Sequence, residues 1–150
     1  MQLRRAVAVV LVLSGSIDWR VMAQGAGNWV QWRGPGRDGA GSAFNLPAPW
    51  PEQLTRKWKT EVGPGYATPL LVDNRIYMFS RQGENETMSA LDAATGNVLW
   101  KTGYPASFTM NSATVRHGAG PKSTPVYSGG RLFSIGMTGV VTAFDAATGK

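Results

Sequence analysis

The chain has 150 residues, 43% hydrophobic and 16% charged, with a formal net charge of +6. Beyond residue 23 its basic residues are scattered singly apart from Arg56-Lys57-x-Lys59, so the charge reads as a solvated surface and not as a nucleic-acid-binding stripe. With no cysteine at all, it has no disulfide and no acceptor for a lipid anchor.

Residues 1–23 have the layout of an export signal: Arg4-Arg5, an apolar run over 6–13, then Val21-Met22-Ala23 as a small-residue cleavage site before Gln24. The run has 8 residues, well short of the roughly 20 that cross a bilayer as a helix. The expectation is a cleaved signal peptide delivering a periplasmic or secreted protein, not a lipoprotein and without stable membrane insertion. Arg4, Arg5 and Arg20 against Asp18 carry +2 of the net charge, which leaves +4 on the mature part.

Residues 24–53 are rich in Gly and Pro and contain Trp29-Val30-Gln31-Trp32-Arg33-Gly34-Pro35. They are expected to form an extended lead-in whose tryptophans pack against the domain that follows. Gly34-x-Gly36-x-x-Gly39 matches a dinucleotide fingerprint in letters only, because Pro35 lies inside it and no helical pattern follows.

From residue 54 the chain repeats itself. Ser89-Ala90-Leu91-Asp92-Ala93-Ala94-Thr95-Gly96 returns as Thr142-Ala143-Phe144-Asp145-Ala146-Ala147-Thr148-Gly149, and Trp58-Lys59-Thr60 returns as Trp100-Lys101-Thr102, 42 positions on. Asp and Thr offer side-chain oxygens to nearby backbone N–H groups and Gly permits positive φ, which together make a tight turn between strands. Strands are expected over 56–60, as an outermost strand of a preceding blade position, and over 67–72, 75–80, 87–91 and 98–102. Asp73-Asn74 and Gly129-Gly130 are two-residue connections suited to type I′ hairpins. Pro69 and Pro125 are tolerable in inner strands because these form a sheet edge. The period fits a four-stranded blade, close to the roughly 40 to 45 residues of propeller repeats.

The pattern Ala90-x-Asp92-x-x-Thr95-Gly96-x-x-x-Trp100 resembles the tryptophan-docking motif of pyrroloquinoline-quinone-like (quinoprotein-like) β-propellers. The resemblance covers residues 54–150. It implies an all-β fold, a β-propeller of four-stranded antiparallel blades, of which about one and a half to two are present. It also implies that Asp92, Thr95, Gly96 and Trp100 are structural. The second motif stops at Lys150 before its own tryptophan position, and the expectation is an N-terminal piece of a longer protein.

Strand alternation puts the Asp73-Asn74 and Asp92-to-Asn97 turns on one face and the enlarged segments on the other. These are a loop over 81–86 and the connector from Trp100 to Thr124, which is 24 residues long against 10 from Trp58 to Thr68. Insertions gathered on one face of a repeat protein mark a binding surface. Candidate binding-face residues are Arg81, Glu84, Arg116, His117 and Lys122. Arg116, His117 and Lys122 gather three potentially cationic groups near the channel mouth, which suits an anionic ligand or partner, although a lone histidine in a Gly-rich loop is commonly a plain loop residue. No catalytic or metal-binding residue is assigned, since His117 has no companion at ligand spacing.

The family resemblance implies two kinds of function. The first is a non-catalytic scaffold or binding module, needing no cofactor, that takes a protein, peptide or carbohydrate partner on the loop-bearing face. The alternative is a pyrroloquinoline quinone (PQQ)- and calcium-dependent alcohol or sugar dehydrogenase. Many of those alcohol dehydrogenases set a vicinal cysteine pair against the quinone, which this chain lacks. Glu84 and Glu86 are the acids nearest the enlarged face, and they are expected to lie in a solvated loop.

Overall fold

The computed structural model describes residues 27–41 and 49–150. The expected signal peptide and part of the lead-in lie outside the described residues. Among the described residues, seven strands form two antiparallel meanders. The first sheet runs β1 (Leu70–Val72), β2 (Arg75–Gln82), β3 (Asn85–Asp92) and β4 (Val98–Pro105), and the second runs β5 (Val126–Ser128), β6 (Arg131–Ile135) and β7 (Val141–Asp145). They are successive blades of one repeat, as expected.

The core lies between the two sheets. Leu70, Val72, Tyr77, Phe79, Met88 and Ala90 from the first blade meet Leu132, Phe144 and Ala146 from the second, with Trp100, Tyr104 and Tyr127 at the margin. The register explains the selection. Leu70 pairs with Tyr77, Tyr77 with Ala90 and Ala90 with Trp100, and cross-strand partners share a face. A bulge in β4 completes this row: Leu91 pairs with Val98 while Ala90 pairs with Trp100, so Leu99 is left over. Without that extra residue Val98 and Trp100 would share a face; with it, Trp100 turns toward the second blade.

Trp100 and Trp58 dock in the same way. Trp100 Nε1 donates to Ala146 O at 3.2 Å, and Trp58 Nε1 donates to Ala93 O at 3.0 Å. A Cβ on Gly149 or Gly96 would fall 2.5 Å from the respective indole ring, and φ at these glycines is 76° and 75°. Each glycine is therefore required twice, for backbone conformation and for the tryptophan's approach.

Several local expectations are corrected. Residues 56–60 form no ladder, because no described strand lies beside them; only the Trp58 and Thr60 side chains make the docking contacts. The inner strands start after Pro69 and Pro125, whose missing N–H delays the ladder. In the Asp73-Asn74 turn only Asp73 has positive φ (53°), which departs from type I′, whereas Gly129 and Gly130 are both positive at 54° and 78°. The expected loop over 81–86 is the end of a long hairpin, in which Arg81 pairs with Glu86 and Gln82 with Asn85, leaving only Gly83-Glu84 as the turn. The lead-in docks through the Trp29 backbone and the Val30 side chain, while Trp32 and Trp50 stay exposed at 63% and 61%.

Candidate functional site

The loop-bearing face is built from the segment before β1, the β2–β3 turn, the β4–β5 connector and the β6–β7 turn. Backbone bonds lock these segments together. Arg81 N donates to Pro64 O (2.9 Å), Ala106 N to Glu84 O (2.9 Å) and Tyr66 N to Pro121 O (2.8 Å). Gly120 passes so close to the segment before β1 that a Cβ there would lie 2.3 Å from Pro64 O. The enlarged connector is thus a fixed part of the face.

Arg81 and Glu84 form one of its corners. Arg81 is buried, donates from Nη1 to Ala106 O (3.1 Å) and from Nη2 to Glu84 Oε2 (3.0 Å), and lies under the Phe108 ring at 5.3 Å. Glu84 also accepts from Ser107 Oγ at 3.1 Å. Arg81 therefore clips the connector to the hairpin.

Glu86 is the residue the sequence left in the wrong environment. It was expected in a solvated loop, yet it is 0% exposed, facing the second blade in the same row as Met88 and Ala90. Its Oε2 accepts from Tyr104 Oη (2.9 Å) and its Oε1 from Met137 N (2.7 Å), tying β3 and β4 to the β6–β7 turn. A Cβ on Gly136 would sit 1.8 Å from Oε2, so the turn must carry glycine to admit the carboxylate. Burial, followed by the hydrogen bond to Glu86, pushes the Tyr104 phenol above its usual value. The available signal was parity: once β3 is extended back to Asn85, Glu86 must point with Met88 and Ala90.

The remaining candidates gather at the channel mouth. Tyr66 and Lys122 stand at matching positions just ahead of β1 and β5. With Thr114, His117 and Met137 they line a cavity of about 350 Å³. Lys122 Nζ donates to His117 O (2.5 Å) and Gly118 O (3.0 Å) and lies 4.2 Å from the centre of the Tyr66 ring, a cation–π contact. His117 meets Tyr66 edge-on at 6.4 Å. Arg116 lies in the same single 3₁₀ turn, Val115–His117, and is exposed. His117 and Lys122 are thus brought together, Arg116 is beside them, and Arg81 and Glu84 form the separate corner. Lys122 spends its donors on carbonyls and acts as a clip on the 3₁₀ turn.

On the opposite face the two docking turns make the same three bonds to their aspartate Oδ1, and Asp92 Oδ2 additionally accepts from Asn74 Nδ2 at 2.9 Å. Asp92 Oδ1 accepts from Ala94 N, Thr95 N and Thr95 Oγ1 at 3.0, 2.9 and 2.9 Å. Asp145 Oδ1 accepts from Ala147 N, Thr148 N and Thr148 Oγ1 at 3.0, 2.8 and 2.8 Å. The threonine hydroxyl, then the threonine amide, hold each carboxyl below the usual carboxylate value. Every one of these acceptors is used for the turn, which makes the motif structural.

A family model described as outer membrane protein assembly factor BamB matches residues 84–150, a stretch that contains both docking turns. Residues 84–150 are thus similar to a PQQ-like propeller repeat. The chain is also similar to the dehydrogenase subunit of the quinone alcohol dehydrogenase of Acetobacter aceti, 39% identical over 90 residues; the match covers 56% of this chain and 11% of that one. Calcium beside a quinone calls for several carboxylate or amide oxygens. Among the described residues no three His, Cys, Asp or Glu side chains come together as a metal site, and both Glu86 oxygens already accept hydrogen bonds. The cleft around Gly34 to Gly39, about 270 Å³, is lined by Asn28, Trp29, Pro35 and Asp38, and residues 34–39 themselves form turns and bends.

Proposed function

We propose that this protein is an exported PQQ-like propeller that works as a non-catalytic scaffold, holding a protein, peptide or carbohydrate partner on its loop-bearing face. The observation that carries this proposal is the division of labour between the faces. The docking turns commit Asp92 Oδ1 and Asp145 Oδ1 to their own fold and leave a cavity of about 460 Å³ beside Arg75 and Asp145, whereas the mouth presents a cavity with the exposed aromatic side chains of Tyr66 and His117. Aromatic rings on a fixed backbone provide contact area at small entropic cost, which suits recognition. Export rests on the residue pattern of 1–23.

The alternative, a PQQ- and calcium-dependent alcohol or sugar dehydrogenase, draws its support from the repeat motif and from the Acetobacter aceti relative. The scaffold reading is tested by capturing partners with the full-length protein and with two variants. Tyr66→Ala/His117→Ala alters the mouth, and Asn97→Ala alters the opposite face. Loss of a captured partner in the mouth variant only is the expected result. Loss in the Asn97 variant with retention in the mouth variant would sink the assignment of the face.

A further inference from the structure

Leu71 and Tyr127 occupy the same position in successive inner strands, and their backbone groups face the axis, away from β2 and β6. Such groups are a template for another extended segment. One dipeptide of the lead-in meets both. Trp29 N donates to Leu71 O (2.7 Å), Leu71 N donates to Trp29 O (3.0 Å) and Tyr127 N donates to Val30 O (2.8 Å).

The segment is fastened at both ends. Asn28 Oδ1 accepts from Asp73 N at 2.8 Å, and its Nδ2 donates to Asp73 Oδ1 at 3.4 Å, which ties it to the turn after β1. The Val30 side chain is 2% exposed and belongs to the inter-blade core with Leu70, Tyr77 and Leu132. The Trp29 ring lies against Gly34, where a Cβ would come within 2.9 Å of it. That contact holds the tryptophan under the turn that follows.

We propose that Asn28-Trp29-Val30 is an axial strap. It adds an extended rung to the inner edges of both blades and makes those edges open together. It also places the Val30 side chain in the core between the two blades. Opening of either inner edge and release of the strap are therefore linked.

The test is amide hydrogen exchange on the full-length protein, comparing wild type with Asn28→Ala and Val30→Asp. In wild type the Leu71 and Tyr127 amides are expected to be protected. Each variant is expected to raise exchange at both amides by about tenfold or more, in step, while the β3–β4 ladder keeps its protection. Should Val30→Asp fail to fold, Asn28→Ala carries the comparison, since it removes only two side-chain bonds at the surface. Unprotected Leu71 and Tyr127 amides in wild type, or amides that respond independently of each other, would overturn the proposal.

Discussion

Tryptophan at 100 and glycine at 149 are two halves of one contact. Trp100→Ala should cost about 3 kcal/mol, the low end of the range for a core aromatic because the ring is only partly buried, read by denaturant unfolding of the full-length protein. A variant that unfolds at the wild-type midpoint would contradict the docking role. The carboxyls of Asp92 and Asp145 are held low by their threonines, so the folded state favours their ionised form. That contribution is complete above the unfolded value, about pH 4, and disappears as pH falls through the lower folded value. Stability should therefore fall in acid below about pH 4, and Asp92→Asn should flatten that limb. An unchanged acid limb in the variant would show that the turn carboxyl does not contribute.

The most informative element is the hairpin of β2 and β3. The docking turn that follows β3 was legible in the sequence because Asp, Thr and Gly act locally, through bonds to their own backbone. The hairpin's far end was not, because Glu86 owes its burial to Tyr104 on β4 and to the β6–β7 turn of the next blade. Composition made Arg81 to Glu86 look like a polar loop, but tertiary pairing continued the ladder through it. The bulge at Leu99 was equally hidden, since only the register with β3 exposes it. Glu86→Ala would leave the Tyr104 hydroxyl and the Met137 amide without their acceptor, at about 1 to 3 kcal/mol for each buried group. Gly136→Ala should also destabilise, by driving a methyl into the carboxylate. Combined, the two changes should cost less than their sum, because removing the carboxylate makes room for the methyl. Additive costs in the double-mutant cycle would refute the contact.

At the scale of the molecule, the two blades expose unequal faces. Leu70, Tyr77, Phe79 and Met88 are buried against the second blade, while their counterparts Val126, Phe133, Ile135 and Val141 are exposed. An apolar sheet face of this kind invites association. The 150-residue chain should show concentration-dependent association in analytical ultracentrifugation, and Phe133→Lys/Ile135→Lys should suppress it. A wild-type chain that stays monomeric throughout would contradict this.

The division between a structural turn face and a binding mouth is tested most directly with the cofactor of the alternative activity. Full-length mature protein, shown to be folded, is titrated with pyrroloquinoline quinone and calcium and followed by absorbance and by dye-linked alcohol oxidation. No stoichiometric binding and no turnover is the predicted result. Stoichiometric binding accompanied by turnover would contradict the scaffold proposal and make the mouth lined by Tyr66, His117 and Lys122 the rim of an active site.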